Sequence, residues 1–149
     1  VPFPGREDLK RIVERTTTDY QADLHPVVSR DDILSMQALV RRVPVASHIV
    51  DYAIGVLEAT HPKNKHSPDL VRRFVRTGAS PRGLQAMLLA AKIGALFGGR
   101  FAASADDVRA AATPALRHRL LLSFEGEAEG VSADEIIAEI MKKVEPAKG

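Results

Sequence analysis

The sequence predicts an all-α fold, a small helical bundle with room for one short strand or irregular segment near 70–76. Two observations carry that prediction. Apolar residues recur at steps of three and four through most of the chain, as one buried helix face requires. Ser or Gly followed by Asp or Glu stands ahead of one such segment after another, the signature of a capped helix start. Size sets the rest: 149 residues, 45% apolar and 5% aromatic, suit one domain with a core of Leu, Val, Ile and Ala.

The elements follow in order. Gly5, Glu7 and Asp8 open a first helix whose apolar side is Leu9, Ile12 and Val13. His25-Pro26 breaks the chain, and Ser29 caps a second helix through about Val43. Its first turn holds Asp31 and Asp32, which the helix dipole favours. Pro44 ends that helix and opens a third, with Val45, Ile49, Tyr52, Ala53, Val56 and Leu57 as its core stripe. Residues 61–69, HPKNKHSPD, read as a loop. LVRRFV, 70–75, fits either a helical turn or a short strand. A long apolar helix then runs from Pro81 to Phe97 and ends at Gly98-Gly99. Ser104 caps the next helix, which Pro114 should interrupt. EGEAEG, 125–130, reads as an acidic loop. Ser132 and Glu135 have capping-box spacing before a last helix with Ile136, Ile137, Ile140, Met141 and Val144 on its face. PAKG is the expected tail.

Several chemistries are absent from the sequence. There is no cysteine, hence no disulfide or thiol nucleophile, and the composition suits a cytoplasmic protein. There is no G-x-x-x-x-G-K-S/T, no G-x-G-x-x-G and no H-E-x-x-H. The histidines, His25, His48, His61, His66 and His118, lack metal-ligand spacing, so no metal site is expected. No set of nucleophile, base and orienting group can be assembled, so this chain alone is not read as an enzyme.

Charge is uneven. Residues 61–119 hold eleven Lys or Arg against three acids, a balance of +8 in a chain whose net charge is +2. A basic middle between acidic flanks points to an anionic partner, or to a nucleic-acid-binding or protein-adaptor module using 61–119. Little aromatic content and no base-reading helix pattern argue against nucleic acid.

TGASPRG, 77–83, is the most informative stretch. Ser80 suits the N-cap of the long helix and Pro81 its first position. Arg82 then falls in the first turn, where the partial charge of about +0.5 prefers an acid. An arginine there is either solvated at small cost or placed to meet an anion. Its planar fork suits phosphate oxygens, Gly78 and Gly83 keep the approach open, and the helix start adds N–H donors.

GASPRGLQAMLLAAKIGALFGGR followed by SADDVRAAATPALRHRLLLSFEGEAEGVSADEII resembles the C-terminal region of MoxR-type AAA+ ATPases. The likeness rests on the G-A-S-P-R helix start, the Ala-rich helix ending in G-R, the acid-capped helix and the L-R-H-R segment. VPFPG is similar to the family's exit from the ATPase core, and SRDDILSMQALVRRVPV to its linker helix.

The resemblance implies residues 1–30 as that exit and first helix, 31–145 as a helical lid domain, and 146–149 as a tail. The nucleotide-binding core would lie upstream, since neither a Walker A nor a Walker B motif is present here. Arg82 would be the sensor 2 residue that reads ATP phosphates, with Ser80 and Gly78 beside the nucleotide. ATP and Mg2+ would act in the full-length protein, a homo-oligomeric ring, expected as a hexamer, that remodels or matures other proteins. A protein with a von Willebrand factor A domain is an implied partner; membrane and nucleic acid are not. The resemblance leaves open whether the phosphate belongs to the same subunit or a neighbour. Gly83 departs from the Ala of many relatives and could loosen the helix start. Arg117, His118 and Arg119 match the family's L-R-H-R. They are candidate interface residues, expected rather to pack and pair with Glu125 to Glu129.

Overall fold

Several helix starts fall where acid-bearing caps put them. The computed structural model describes residues 3–146, so Val1 and Pro2 of VPFPG and 147–149 of the expected tail lie outside the described residues. The elements are α1 (Arg6–Thr16), α2 (Arg30–Arg42), α3 (Ser47–Ala59), α4 (Asp69–Phe74), β1 (Val75–Thr77), α5 (Pro81–Phe97) and α6 (Ala105–Leu116). A 3-10 turn (Arg117–Arg119), β2 (Leu121–Leu122), α7 (Phe124–Ala128) and α8 (Ala133–Lys143) complete the chain. Ser104 and Asp107 close a capping box on α6, and Ser132 and Glu135 close one on α8. At α2 the Ser29 N–H donates to Asp32 Oδ2 at 2.8 Å, and Ser29 Oγ accepts from the Asp32 N–H at 3.1 Å.

The chain divides into two units, 1–33 and 34–149. The first holds α1 and the start of α2. No residue of α1 is buried, and its apolar side of Leu9, Ile12 and Val13 is exposed.

The second unit is the helical bundle. Helix α5 packs along α6 and against α3, and α8 packs on α6, α3 and α4. Met87, Ala91 and Ala95 form the fully buried stripe of α5, and Val108, Ala112 and Leu116 answer from α6. Val56, Val71, Ile136, Ile137 and Ile140 complete the sealed centre. Small side chains on the facing stripes let the two helices approach closely. Gly94 of α5 extends that approach, for a Cβ there would stand 3.2 Å from Asp107 Oδ1.

Four local expectations change. Residues 70–76 are both a helical turn and a strand: α4 ends at Phe74, and Val75 enters β1. β1 pairs antiparallel with β2, Val75 opposite Leu122 and Thr77 opposite Leu121. Pro114 does not interrupt α6, which continues to Leu116 before tightening into the 3-10 turn. An exposed proline near a helix C-terminus removes one backbone bond close to where the ladder ends anyway. The first four residues of EGEAEG, 125–128, are helix and not loop. Ser123 caps α7, its Oγ accepting from the Gly126 N–H at 3.2 Å. Arg73 draws the acids down, Nε to Glu125 and Nη2 to Glu129, each at 2.7 Å. Val45 lies outside α3, bridging Ala103 instead.

Tyr52 of α3 is 3% exposed, and its hydroxyl is buried without a hydrogen-bond partner among the described residues. The Arg109 guanidinium sits 5.7 Å from the ring centroid. Burial pushes the phenol pKa up. Tyr52→Phe removes the orphaned oxygen and keeps the ring. Thermal melting of this variant should match or exceed wild type, because an unsatisfied buried hydroxyl costs about 1–3 kcal/mol. A clear fall in melting temperature would mean that the nearby Arg109 guanidinium or a bound water satisfies the hydroxyl.

Candidate functional site

The segment from β1 to α5 is built on the end of α3. Thr77 closes β1, Gly78 and Ala79 turn the chain, and Ser80 stands at the N-cap of α5 with extended backbone, φ −81° and ψ 169°. Thr60, fully buried, accepts the Ala79 N–H on Oγ1 at 3.0 Å. His61 Nε2 lies 3.0 Å from the Ala79 carbonyl oxygen. That oxygen can only accept, so the ring nitrogen donates. Gly78 fits because a Cβ would stand 2.7 Å from the Thr60 carbonyl oxygen and 2.8 Å from His61 Cγ.

Ser80 holds the cap position without capping, for its hydroxyl takes no hydrogen bond from the first turn. That turn also holds no acid. The Gly83 N–H donates to the Ser80 carbonyl oxygen at 2.7 Å, but the partial positive charge of the turn has no side-chain acceptor and no local counter-charge. Arg82 adds a full positive charge at this point, exposed.

Most arginines of the basic middle are neutralised. Arg72 pairs with Asp69, Arg73 with Glu125 and Glu129, Arg100 with Asp107, Arg109 with Asp106, and Arg117 with Asp134. Arg76, Arg82 and Arg119 have no acidic partner among the described residues. Gly83 brings two of these three together. It is buried, and a Cβ on it would meet Leu116 Cδ2 at 3.0 Å, Ala79 Cβ at 3.3 Å and Arg119 Cδ at 3.3 Å. Gly83 is thus a packing position, which gives it a use beyond loosening the helix start. Arg119 Nη1 donates to the Ala115 carbonyl oxygen at 2.6 Å and also approaches His118 Nε2.

The L-R-H-R residues do not act as one group. Arg117 turns to Asp134 on α8 at 2.7 Å, and not to the acids of 125–129, which Arg73 holds. Arg119 turns to the start of α5. Lys92 lies far along α5 and donates to the Arg41 carbonyl oxygen at 3.2 Å. Thr60 and His61 were not legible as site residues, because they reach Ala79 across 19 and 18 residues of sequence. No group of three His, Cys, Asp or Glu able to hold a metal ion occurs among the described residues. No helix there is long and apolar enough to cross a membrane.

Residues 69–140 match the sequence profile of the AAA lid domain family. The chain is 30% identical over 145 residues to Chaperone MoxR1 of Mycobacterium tuberculosis, 97% of this chain and 38% of that protein. This chain belongs to the MoxR-type AAA lid domains. The lid is also 32% identical over 123 residues to the Bacillus subtilis protein YeaC, 81% of this chain and 35% of that protein. It therefore spans little more than a third of the length of either relative. A crystal structure from Cytophaga hutchinsonii, provisionally assigned as an ATPase, superposes with a TM-score of 0.84 at 26% identity. That match takes in 99% of this chain and 45% of the other. At the start of the lid's α5, Gly83 lets the Arg119 side chain approach the turn that carries Arg82.

Proposed function

We propose that this lid acts as the sensor 2 element of a MoxR-like AAA+ ATPase, with Arg82 reading the phosphates of bound ATP. One observation carries the reading. Arg82 is an exposed arginine without an acidic partner among the described residues, at a helix start that lacks both an acid and a side-chain cap, while five other arginines of 61–119 are neutralised. Such a group costs electrostatic energy until an anion arrives. Residues 1–30 would be the exit from an upstream core and 31–145 the lid proper.

The residues present fit a triphosphate and do not fit a metal. Arg82 offers a planar fork of donors to phosphate oxygens, the Arg119 side chain lies against Gly83, and the first turn of α5 adds the Arg82 N–H, Pro81 having none and the Gly83 N–H being bound to the Ser80 carbonyl oxygen. Gly78 and Ser80 shape the approach. When bound, ATP with Mg2+ would supply the phosphoryl group for transfer, and Arg82 would hold its phosphate oxygens. Arg82 then places fixed positive charge where negative charge develops. Carried on a rigid helix, the arginine follows the lid as a body, so lid closure and charge stabilisation are one event.

By the same reading the full-length protein hydrolyses ATP in a homo-oligomeric ring, a hexamer, in the cytoplasm. It would remodel or assemble other proteins, with a von Willebrand factor A domain protein as partner. The test is ATP turnover by the protein expressed from its complete gene, wild type against Arg82→Ala, with nucleotide affinity measured alongside. Turnover should fall about ten- to a hundredfold, less than the ~10²–10³ for a donor fixed on the reacting oxygen. Unchanged turnover would return Arg82 to solvated surface. The nucleic-acid alternative is weakened by the acid pairing of five arginines in the basic middle.

A further inference from the structure

We infer that Thr60, with His61 beside it, is a positioning residue that sets where Arg82 stands, an inference that rests on the sensor reading of Arg82. The Thr60 hydroxyl has one proton, and it goes to the Leu57 carbonyl oxygen at 2.6 Å. Toward Ala79 the same oxygen can therefore only accept, and it takes the Ala79 N–H at 3.0 Å. His61 Nε2 holds the Ala79 carbonyl oxygen at 3.0 Å. Both backbone polar groups of Ala79, a fully buried residue, are thus bound by side chains from the end of α3.

Few torsions separate this anchor from Arg82. Ser80 is extended at the N-cap, and the ring of Pro81 fixes its own φ. The Gly78 side of the turn is closed by Thr60 itself, whose Oγ1 would lie 2.7 Å from a Cβ. A shift at Ala79 therefore passes to the first turn of α5 instead of being absorbed. Thr60 is fully buried and so out of reach of a ligand; it acts on the reaction through the place it gives Arg82.

Thr60→Val keeps the shape of the side chain and loses the acceptor, while Thr60→Ser keeps the acceptor. In the protein from the complete gene, Thr60→Val should lower kcat for ATP about tenfold, within the loss that a misplacement of about 1 Å produces. KM should change little, and Thr60→Ser should restore most of the rate. In an Arg82→Ala background, Thr60→Val should cost nothing further, because the residue it positions is gone. Amide exchange at Ala79 should quicken in Thr60→Val and not in Thr60→Ser.

The inference is overturned if Thr60→Val lowers turnover equally with and without Arg82, or leaves turnover intact while Arg82→Ala lowers it. If Arg82→Ala itself leaves turnover at the wild-type value, the sensor reading is what has failed. Should Thr60→Val not fold, His61→Phe decides, since His61 is exposed and the variant loses only the donor to Ala79. A severalfold fall in kcat that vanishes in the Arg82→Ala background supports the inference, and an unchanged kcat overturns it.

Discussion

Asp107→Ala is expected to destabilise the lid by about 2–4 kcal/mol, lowering its melting temperature by about 10 °C. Three interactions end at this one carboxylate. Arg100 meets it in a bidentate pair, Nη1 to Oδ2 and Nη2 to Oδ1, each at 2.6 Å. The Ser104 N–H donates to Oδ2 at 2.8 Å, and Ser104 Oγ donates at 2.8 Å, closing the cap of α6. Charge-assisted bonds contribute about 1.5–3 kcal/mol, and an N-terminal cap about 1 kcal/mol. Arg100 is half exposed, so water takes over its guanidinium when Asp107 is lost, and the cost stays below that of stranding a fully buried charge. Asp107→Asn should fall between the two, keeping part of the cap and losing the ion pair. Urea titration of the three proteins measures the order, and equal stability of all three would show the pair to be inert.

The same carboxylate gives the lid an acid-side pH dependence. The hydrogen bonds from Arg100, followed by those from Ser104, hold the Asp107 carboxyl well below the usual carboxylate range. The unfolded chain protonates this group near pH ~3.9. Above about pH 5 both states are ionised and the stabilisation is complete. As pH falls through about 4, the unfolded state takes up the proton first and the stabilisation drains away. Asp32 and Glu135, lowered by their Ser29 and Ser132 caps, act in the same direction. The stability difference between wild type and Asp107→Asn should therefore be constant from pH 5 to 7 and shrink toward pH 3. A difference that grows on acidification would reverse the assignment.

What could be read from the sequence was local. Ser104 and Asp107, or Ser132 and Glu135, are three residues apart, so their helix starts need no tertiary knowledge. Arg82 was legible for the same reason, as a positive charge set against the dipole of its own helix. The segment 70–76 was not, because the partner that makes Val75 a strand residue is Leu122. EGEAEG looked like solvated acid until Arg73, 52 residues before Glu125, gave it a surface to fold on. Gly83 looked like a weakness in a helix, and only Leu116 and Arg119 show that the space is used. The fold was therefore visible where a signal and its effect lie within one turn, and hidden where a contact crosses the bundle.

Gly78 shows the same boundary and carries the second large effect. Gly78→Ala is expected to cost about 2–4 kcal/mol, and Gly78→Val more. The demand is for space and not for conformation. Gly99 and Gly130 have positive φ, 68° and 70°, with nothing within 4 Å of a Cβ, whereas Gly78 is not among the positive-φ glycines. A Cβ on Gly78 would meet two atoms of Thr60 at 2.7 Å, one of them the backbone carbonyl oxygen, which cannot swing away as a side-chain tip would. Relief must come from moving the turn, and that breaks the Ala79 N–H bond to Thr60 inside a fully buried site. Gly83→Ala is the instructive control, because its nearest contact, Leu116 Cδ2 at 3.0 Å, is a side-chain end that can yield. It should cost less than Gly78→Ala in a urea titration. A Gly78→Ala loss below about 0.5 kcal/mol, the level of ordinary surface substitutions, would mean that the turn relaxes freely. A freely relaxing turn could not hold Arg82 in one place, so under the proposed sensor role the stability of this glycine variant and the turnover of Thr60→Val would report on the same rigidity.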